Sequence, residues 1–139
     1  MSDDQKVEAL SKTELFAGCS DSQVKAIAGV TEWVTAKEGQ TLLTEGNVGH
    51  DLFVVVSGSA AVQVGGKTIA MVAPGGVVGE LGLVDGKRSS ATVIAEAGFE
   101  AWLVSRRGFL PILEADPGLA RPLLDAVVAK LRATDELLH

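Results

Sequence analysis

Apolar positions change their period twice along this chain. Leu10, Leu15 and Phe16 form a first stripe that predicts helix up to about Gly18, and Val24, Ile27 and Ala28 form a second, with Ser20 placed as its N-cap. From Val30 to Val104 the apolar residues come instead in short runs. Between the runs stand glycine-bearing turns at Glu38-Gly39, Glu45-Gly46-Asn47, Ser57-Gly58, Gly65-Gly66 and Pro74-Gly75-Gly76. Helical spacing returns after Ser105, a second N-cap candidate, with Phe109, Leu110, Ile112 and Leu113, and Asp116-Pro117 interrupts it before a last helix to Leu138.

The middle section predicts strands. DLFVVVSG is strongly β-prone, AAVQV alternates in part, and KTIAMV follows a Gly65-Gly66 pair suited to a hairpin. ATVIA and FEAWLVS complete the set. A series of short strands at regular turn spacing reads as a barrel or jelly roll. The expected fold is therefore α+β: one domain over 1–139, with helices over about 5–29, an eight-stranded antiparallel β-roll (jelly roll) over about 30–104, and C-terminal helices over about 105–138 packed against it.

Size and charge narrow the possible functions. A chain of 139 residues accommodates one hydrophobic core, without room for a second catalytic or DNA-binding domain. The net charge of -6 disfavours a phosphate-collecting surface, so no nucleic acid is expected as a direct partner. The single cysteine, Cys19, excludes an internal disulfide. The opening MSDDQKVEAL is too acidic and polar for a secretory signal, and the longest apolar runs fall far short of the roughly 20 residues of a membrane span. The expected location is the cytoplasm, with no membrane partner.

Sixteen glycines, concentrated in the middle third, exceed the usual ~7 %. Five of them, Gly75, Gly76, Gly79, Gly82 and Gly86, fall near an acid at the start of the loop, Glu80, and a base near its end, Arg88, which is followed by Ser89, Ser90 and Thr92. Backbone N–H groups freed of side chains can converge on a phosphate, a carboxylate can accept from a ribose hydroxyl, and a guanidinium or hydroxyl can donate to phosphate oxygens. On chemistry alone, a long surface turn with a solvated Glu and Arg explains the same residues equally well.

The order of motifs decides between these readings. LFAGCSDSQVKAIA, then EGQTLLTEGNVGHDLFVVVSGSAAV, then MVAPGGVVGELGLVDG leading to SSATV, resembles the cyclic-nucleotide-binding domain family from about Leu10 to Leu131, similar to the regulatory domains of cAMP-dependent protein kinase and catabolite activator protein. The GEL and ATV elements are its specific part. The resemblance implies a stand-alone sensor of a cyclic nucleotide, with cAMP as ligand and no other cofactor. Such a module moves its C-terminal helices on binding and signals to a separate effector protein.

Carried over by position, the resemblance implies that Gly79 and Glu80 form the pair whose carboxylate takes the ribose 2′-hydroxyl. Gly82 and Ser90 fall where backbone N–H groups are offered to the cyclic phosphate, Leu81 and Ala91 are expected among the ligand-binding residues, and Val62 lines the base pocket. The family's phosphate-pairing arginine falls on Ser89, while Arg88 stands one residue earlier, where proline is usual. Either the loop adjusts so that Arg88 turns inward, or backbone and serine hydroxyls hold the phosphate alone. The alternative function is a structural or protein-interaction module that has lost nucleotide binding.

The remaining candidates carry little chemistry. His50 and His139 lie far apart without other ligands at metal spacing, no nucleophile motif surrounds Cys19, and neither metal binding nor catalysis is expected. Trp33 and Trp102 are expected in the core. No aromatic follows Phe109, so a cap over a bound base would have to be aliphatic, from Leu131 or Leu137, or come from a partner chain. Along the last helix, Ala120, Leu124, Val127, Leu131, Thr134 and Leu138 follow alternating steps of four and three, the spacing of a coiled-coil seam. That stripe covers the domain's own sheet or forms a homodimer. In relatives similar to catabolite activator protein the helix also lends a polar residue to the base, a role that would fall on Thr134.

Overall fold

Two strands that are apolar on both faces organise this molecule. The computed structural model describes residues 3–48 and 51–138, and within them not the side chains of residues 81, 84 and 133–138. His50 and His139 therefore lie outside the described residues, as do the side chains of Leu81, Thr134, Leu137 and Leu138. In β3 (Asp51–Ser57), Leu52 and Val54 point one way and Phe53 and Val55 the other, and all four are buried. In β8 (Glu100–Ser105), Trp102 and Val104 share the first side and Ala101 the second. A strand buried on both faces has to lie between two layers, which is why these runs show no polar alternation.

Strands β1 (Thr31–Thr35) and β6 (Val77–Val78) flank this pair to give a sheet of order β1-β8-β3-β6. Strands β2 (Thr41–Leu43), β4 (Ala60–Val64), β5 (Lys67–Val72) and β7 (Thr92–Ala95) form the other, of order β2-β7-β4-β5. Every pairing within them is antiparallel. Between the sheets lies a core of Leu43, Phe53, Val55, Ala60, Val78, Val93, Ala95, Phe99 and Ala101.

This corrects the expected β-roll. Eight strands are present in an α+β fold, but hydrogen bonding sorts them into two separate four-stranded sheets, not a single closed one. Edge strands β2 and β6 have three and two residues, too little ladder to bridge the sheets. Periodicity locates strands, whereas partner choice depends on long-range packing.

Helices cover the outer face of the first sheet. There Leu52, Val54, Trp102 and Val104 meet Leu10 of α1 (Asp3–Ser11), Val24, Ile27 and Ala28 of α2 (Asp21–Ala28), and Phe109 of α4 (Arg106–Ala115). Leu119 of a 3₁₀ turn (Pro117–Leu119) and Leu123 of α5 (Ala120–Leu138) complete this core. The N-caps stand where the sequence places them: the Ser20 hydroxyl accepts from Gln23 N–H in a capping box, and Ser105 accepts from Gly108 N–H.

The first helix, however, ends at Ser11 rather than near Gly18. Thr13 replaces the helical bond, its Oγ1 donating to Leu10 O at 2.8 Å and accepting from Phe16 N–H. Leu15 and Phe16 thus enter the core from a turn. Trp33 and Trp102 pair directly across β1 and β8, their rings edge-on with centroids 4.7 Å apart; Trp102 is buried and Trp33 half-buried.

Candidate functional site

The glycine-rich segment folds as a short strand, a sharp turn and a one-and-a-half-turn helix. β6 ends at Val78, Gly79 takes the left-handed conformation (φ 89°), and α3 runs Glu80–Asp85 before Gly86 closes it, again left-handed. Only glycine fits at position 79, because a Cβ there would stand 2.1 Å from the carbonyl oxygen of Asp51. The close approach seats α3 against β3 and aims the first side chain of the helix, Glu80, along the open end of the second sheet.

A cavity of about 250 Å³ lies there, just below the ~300–1,000 Å³ of sites for drug-sized ligands. Its wall has two chemical ends. Leu43, Val62, Ala70, Val72 and Val93, from β2, β4, β5 and β7, make the apolar end; Glu80, Arg88, Ser89, Ser90 and Lys130 make the polar one.

The structure brings Gly79, Glu80, Gly82, Arg88, Ser89, Ser90, Ala91 and Val62 around this one cavity. Leu81 lies in α3 with its side chain outside the described residues. Glu80 is well covered, with 13 % of its side chain exposed, and its Oε1 accepts from Nζ of Lys130 on α5.

Arg88 is exposed and takes neither of the two expected arrangements in full. It lines the cavity, yet its Nη1 donates to the carbonyl of Gly46 at 2.7 Å, tying the cassette to the turn after β2. Val48 and Arg88 form an isolated antiparallel bridge, Ser89 N–H donates to Asn47 O and Gly46 N–H to Ser89 O. The segment after α3 is therefore held as a strand-like edge, with the guanidinium directed along it.

Lys130 escaped the sequence reading, which followed apolar residues along α5. Its signal is helical phase. Leu123, Ala126 and Val127 pack into the core, and Lys130 stands three residues beyond Val127, a lysine on an otherwise inward stripe. Along the same helix Ala120, Leu124 and Leu131 are exposed while Val127 is half-buried. The expected seam is thus split between two faces; the exposed apolar stripe is Leu124, Val128 and Leu131.

Among the described residues no three His, Cys, Asp or Glu side chains cluster as metal ligands, and no helix is long and apolar enough to cross a membrane.

Residues 33–116 match the family model of the cyclic nucleotide-binding domain. Among solved structures, the chain is similar to the N-terminal domain of a transcriptional regulator from Streptomyces coelicolor A3(2), at 30% identity over 93% of each chain and a TM-score of 0.76. It is also similar to a cyclic nucleotide-binding domain from Methylobacillus flagellatus, at 27% identity over 98% of this chain and 82% of that one, with a TM-score of 0.77. The regulatory domain of Toxoplasma gondii PKA, crystallised with cAMP, shares the fold at 24% identity and a TM-score of 0.72; the match covers 79% of this chain and 44% of that one.

Proposed function

This chain belongs to the cyclic nucleotide-binding domain family, a family of regulatory rather than catalytic modules, and on that premise we propose that the cavity beside Glu80 takes cAMP. One observation carries this reading. A covered carboxylate stands at the polar end of a cavity whose other end is walled by Leu43, Val62, Val72 and Val93. A cyclic purine ribonucleotide has the same polarity along its length. Its ribose 2′-hydroxyl donates to Glu80, its phosphate faces Gly82, Ser90 and Ala91, and its base lies against Val62.

Binding then works as a population shift between arrangements of α4 and α5, since a ligand moves an equilibrium only by binding one state better. An effector protein reads the outcome in the cytoplasm, without direct nucleic-acid contact, and a second copy of the chain pairs through α5. The exposed Leu124, Val128 and Leu131 support that pairing, because leucines separated by four and three residues from a β-branched valine suit a two-stranded coil.

A second reading, a module without nucleotide binding, draws on the outward hydrogen bond of Arg88 to Gly46. Calorimetric titration with cAMP and cGMP separates the two. Binding of cAMP that falls about ten- to a hundredfold in Glu80→Ala, with loss of the preference over the 2′-deoxy analogue, supports the sensor. No heat at high micromolar nucleotide overturns it in favour of the second reading.

A further inference from the structure

One cation reaches the cavity from outside the cassette. Lys130 stands on α5, fifty residues beyond Glu80, and its Nζ donates to Glu80 Oε1 while its side chain lines the same cavity as Val62 and Ser90. It also lies outside residues 33–116, the span that matches the family model. Helix phase fixes its direction, because Leu123 and Val127 below it are anchored in the core. Its side chain remains 53 % exposed, against 13 % for Glu80, so the ammonium sits at the mouth and the carboxylate inside.

The charges around the cavity give this placement a consequence. Its ionisable lining residues are Glu80, Arg88 and Lys130. Without Lys130 the sum is zero and Glu80 repels an incoming phosphate. With Lys130 the sum is one positive charge, the complement of a monoanionic cyclic phosphodiester. Arg88 directs Nη1 to the Gly46 carbonyl, so part of its donor capacity is already engaged within the fold. An ammonium carries three donors on a flexible stem and can serve a carboxylate and a phosphate oxygen together.

We propose that Lys130 is a further ligand-binding residue of this chain: it neutralises Glu80 and supplies α5's cation to the phosphate, so that the site selects anionic cyclic nucleotides over neutral nucleosides. This rests on the reading of the cavity as a cyclic-nucleotide site.

The test is calorimetric titration of the full chain with cAMP and with adenosine, for the wild type, Lys130→Met and Lys130→Arg, at low and moderate salt. Thermal unfolding of each variant checks its fold. Lys130→Met is expected to weaken cAMP about tenfold or more, to change adenosine by less than about twofold, and to flatten the salt dependence of cAMP binding. Lys130→Arg restores most of the cAMP affinity. Unchanged or tighter cAMP binding in Lys130→Met overturns the inference, and so does an equal loss for both ligands, which marks a role in the fold alone. A wild-type chain that binds neither ligand overturns the reading of the cavity itself, whereas cAMP binding indifferent to position 130 overturns only the role of Lys130.

Discussion

Ser89 Oγ donates to the carbonyl of Ala91 at 2.6 Å, closing a short turn at the rim of the cavity. The Ser89 hydroxyl is therefore engaged inside the fold. Ser90, on the same wall, makes no side-chain hydrogen bond among the described residues. The two serines should separate experimentally. Ser90→Ala is expected to lower cAMP affinity roughly three- to tenfold with little effect on stability, because a hydrogen bond to the ligand is lost. Ser89→Ala should instead cost about 1 kcal/mol in urea unfolding and leave the affinity nearly intact. The opposite assignment in paired titration and denaturation would place the phosphate against Ser89.

Gly79 and Gly75 offer a controlled pair for the cassette backbone. Both have positive φ, 89° and 93°, but an added Cβ meets Asp51 O at 2.1 Å in one and open space in the other. Gly75→Ala carries only the backbone strain, about 1 kcal/mol. Gly79→Ala adds a collision with main chain that no rotamer relieves, and should cost about 3 kcal/mol or more and empty the site. Chemical denaturation of the two variants reads the difference.

The exposed stripe of α5 predicts an association that charge can abolish. Leu124 and Leu131 are 58% and 59% exposed in the single chain, so glutamate at either position should leave the protomer's secondary structure intact by circular dichroism. Sedimentation equilibrium at micromolar concentration is expected to give a dimer for the wild type and a monomer for Leu124→Glu/Leu131→Glu. A monomer mass for both chains removes α5 as a dimer surface.

Cys19 links stability to alkaline pH. Half-buried at the turn before α2, its thiol is held above its ordinary value by burial first and by the negative charge of Asp116 second. Below the ordinary thiol value, near 9, both folded and unfolded chains keep the proton and nothing changes. Above it the unfolded chain ionises first, so native stability falls as pH rises. Urea midpoints measured across that range should decline more in the wild type than in Cys19→Ser. The native thiol should also react with iodoacetamide more slowly than the unfolded one.

Local signals were readable at several single turns and caps. Ser20 and Ser105 cap the helices expected of them, and Gly65 and Gly66, both at positive φ, turn the hairpin between β4 and β5. The helix expected to reach Gly18 failed for an equally local reason, since the buried Thr13 hydroxyl binds the backbone in place of the helical ladder. Closure of the strands into one roll failed for a different reason. Apolar runs in β3 and β8 mark burial on both faces without naming the layers that supply it.

By itself the sequence determined the main helices and strands and the glycine-rich cassette, because these depend on residues a few positions apart, and the family, because the order of its motifs is written along the chain. Only the tertiary structure decided that the eight strands form two sheets, that Arg88 bonds to Gly46, and that Lys130 meets Glu80. These depend on packing between segments dozens of residues apart. The ion pair at Glu80 shows the limit most directly: helix phase turns Lys130 inward, but only docking of α5 on the folded core brings it to the carboxylate.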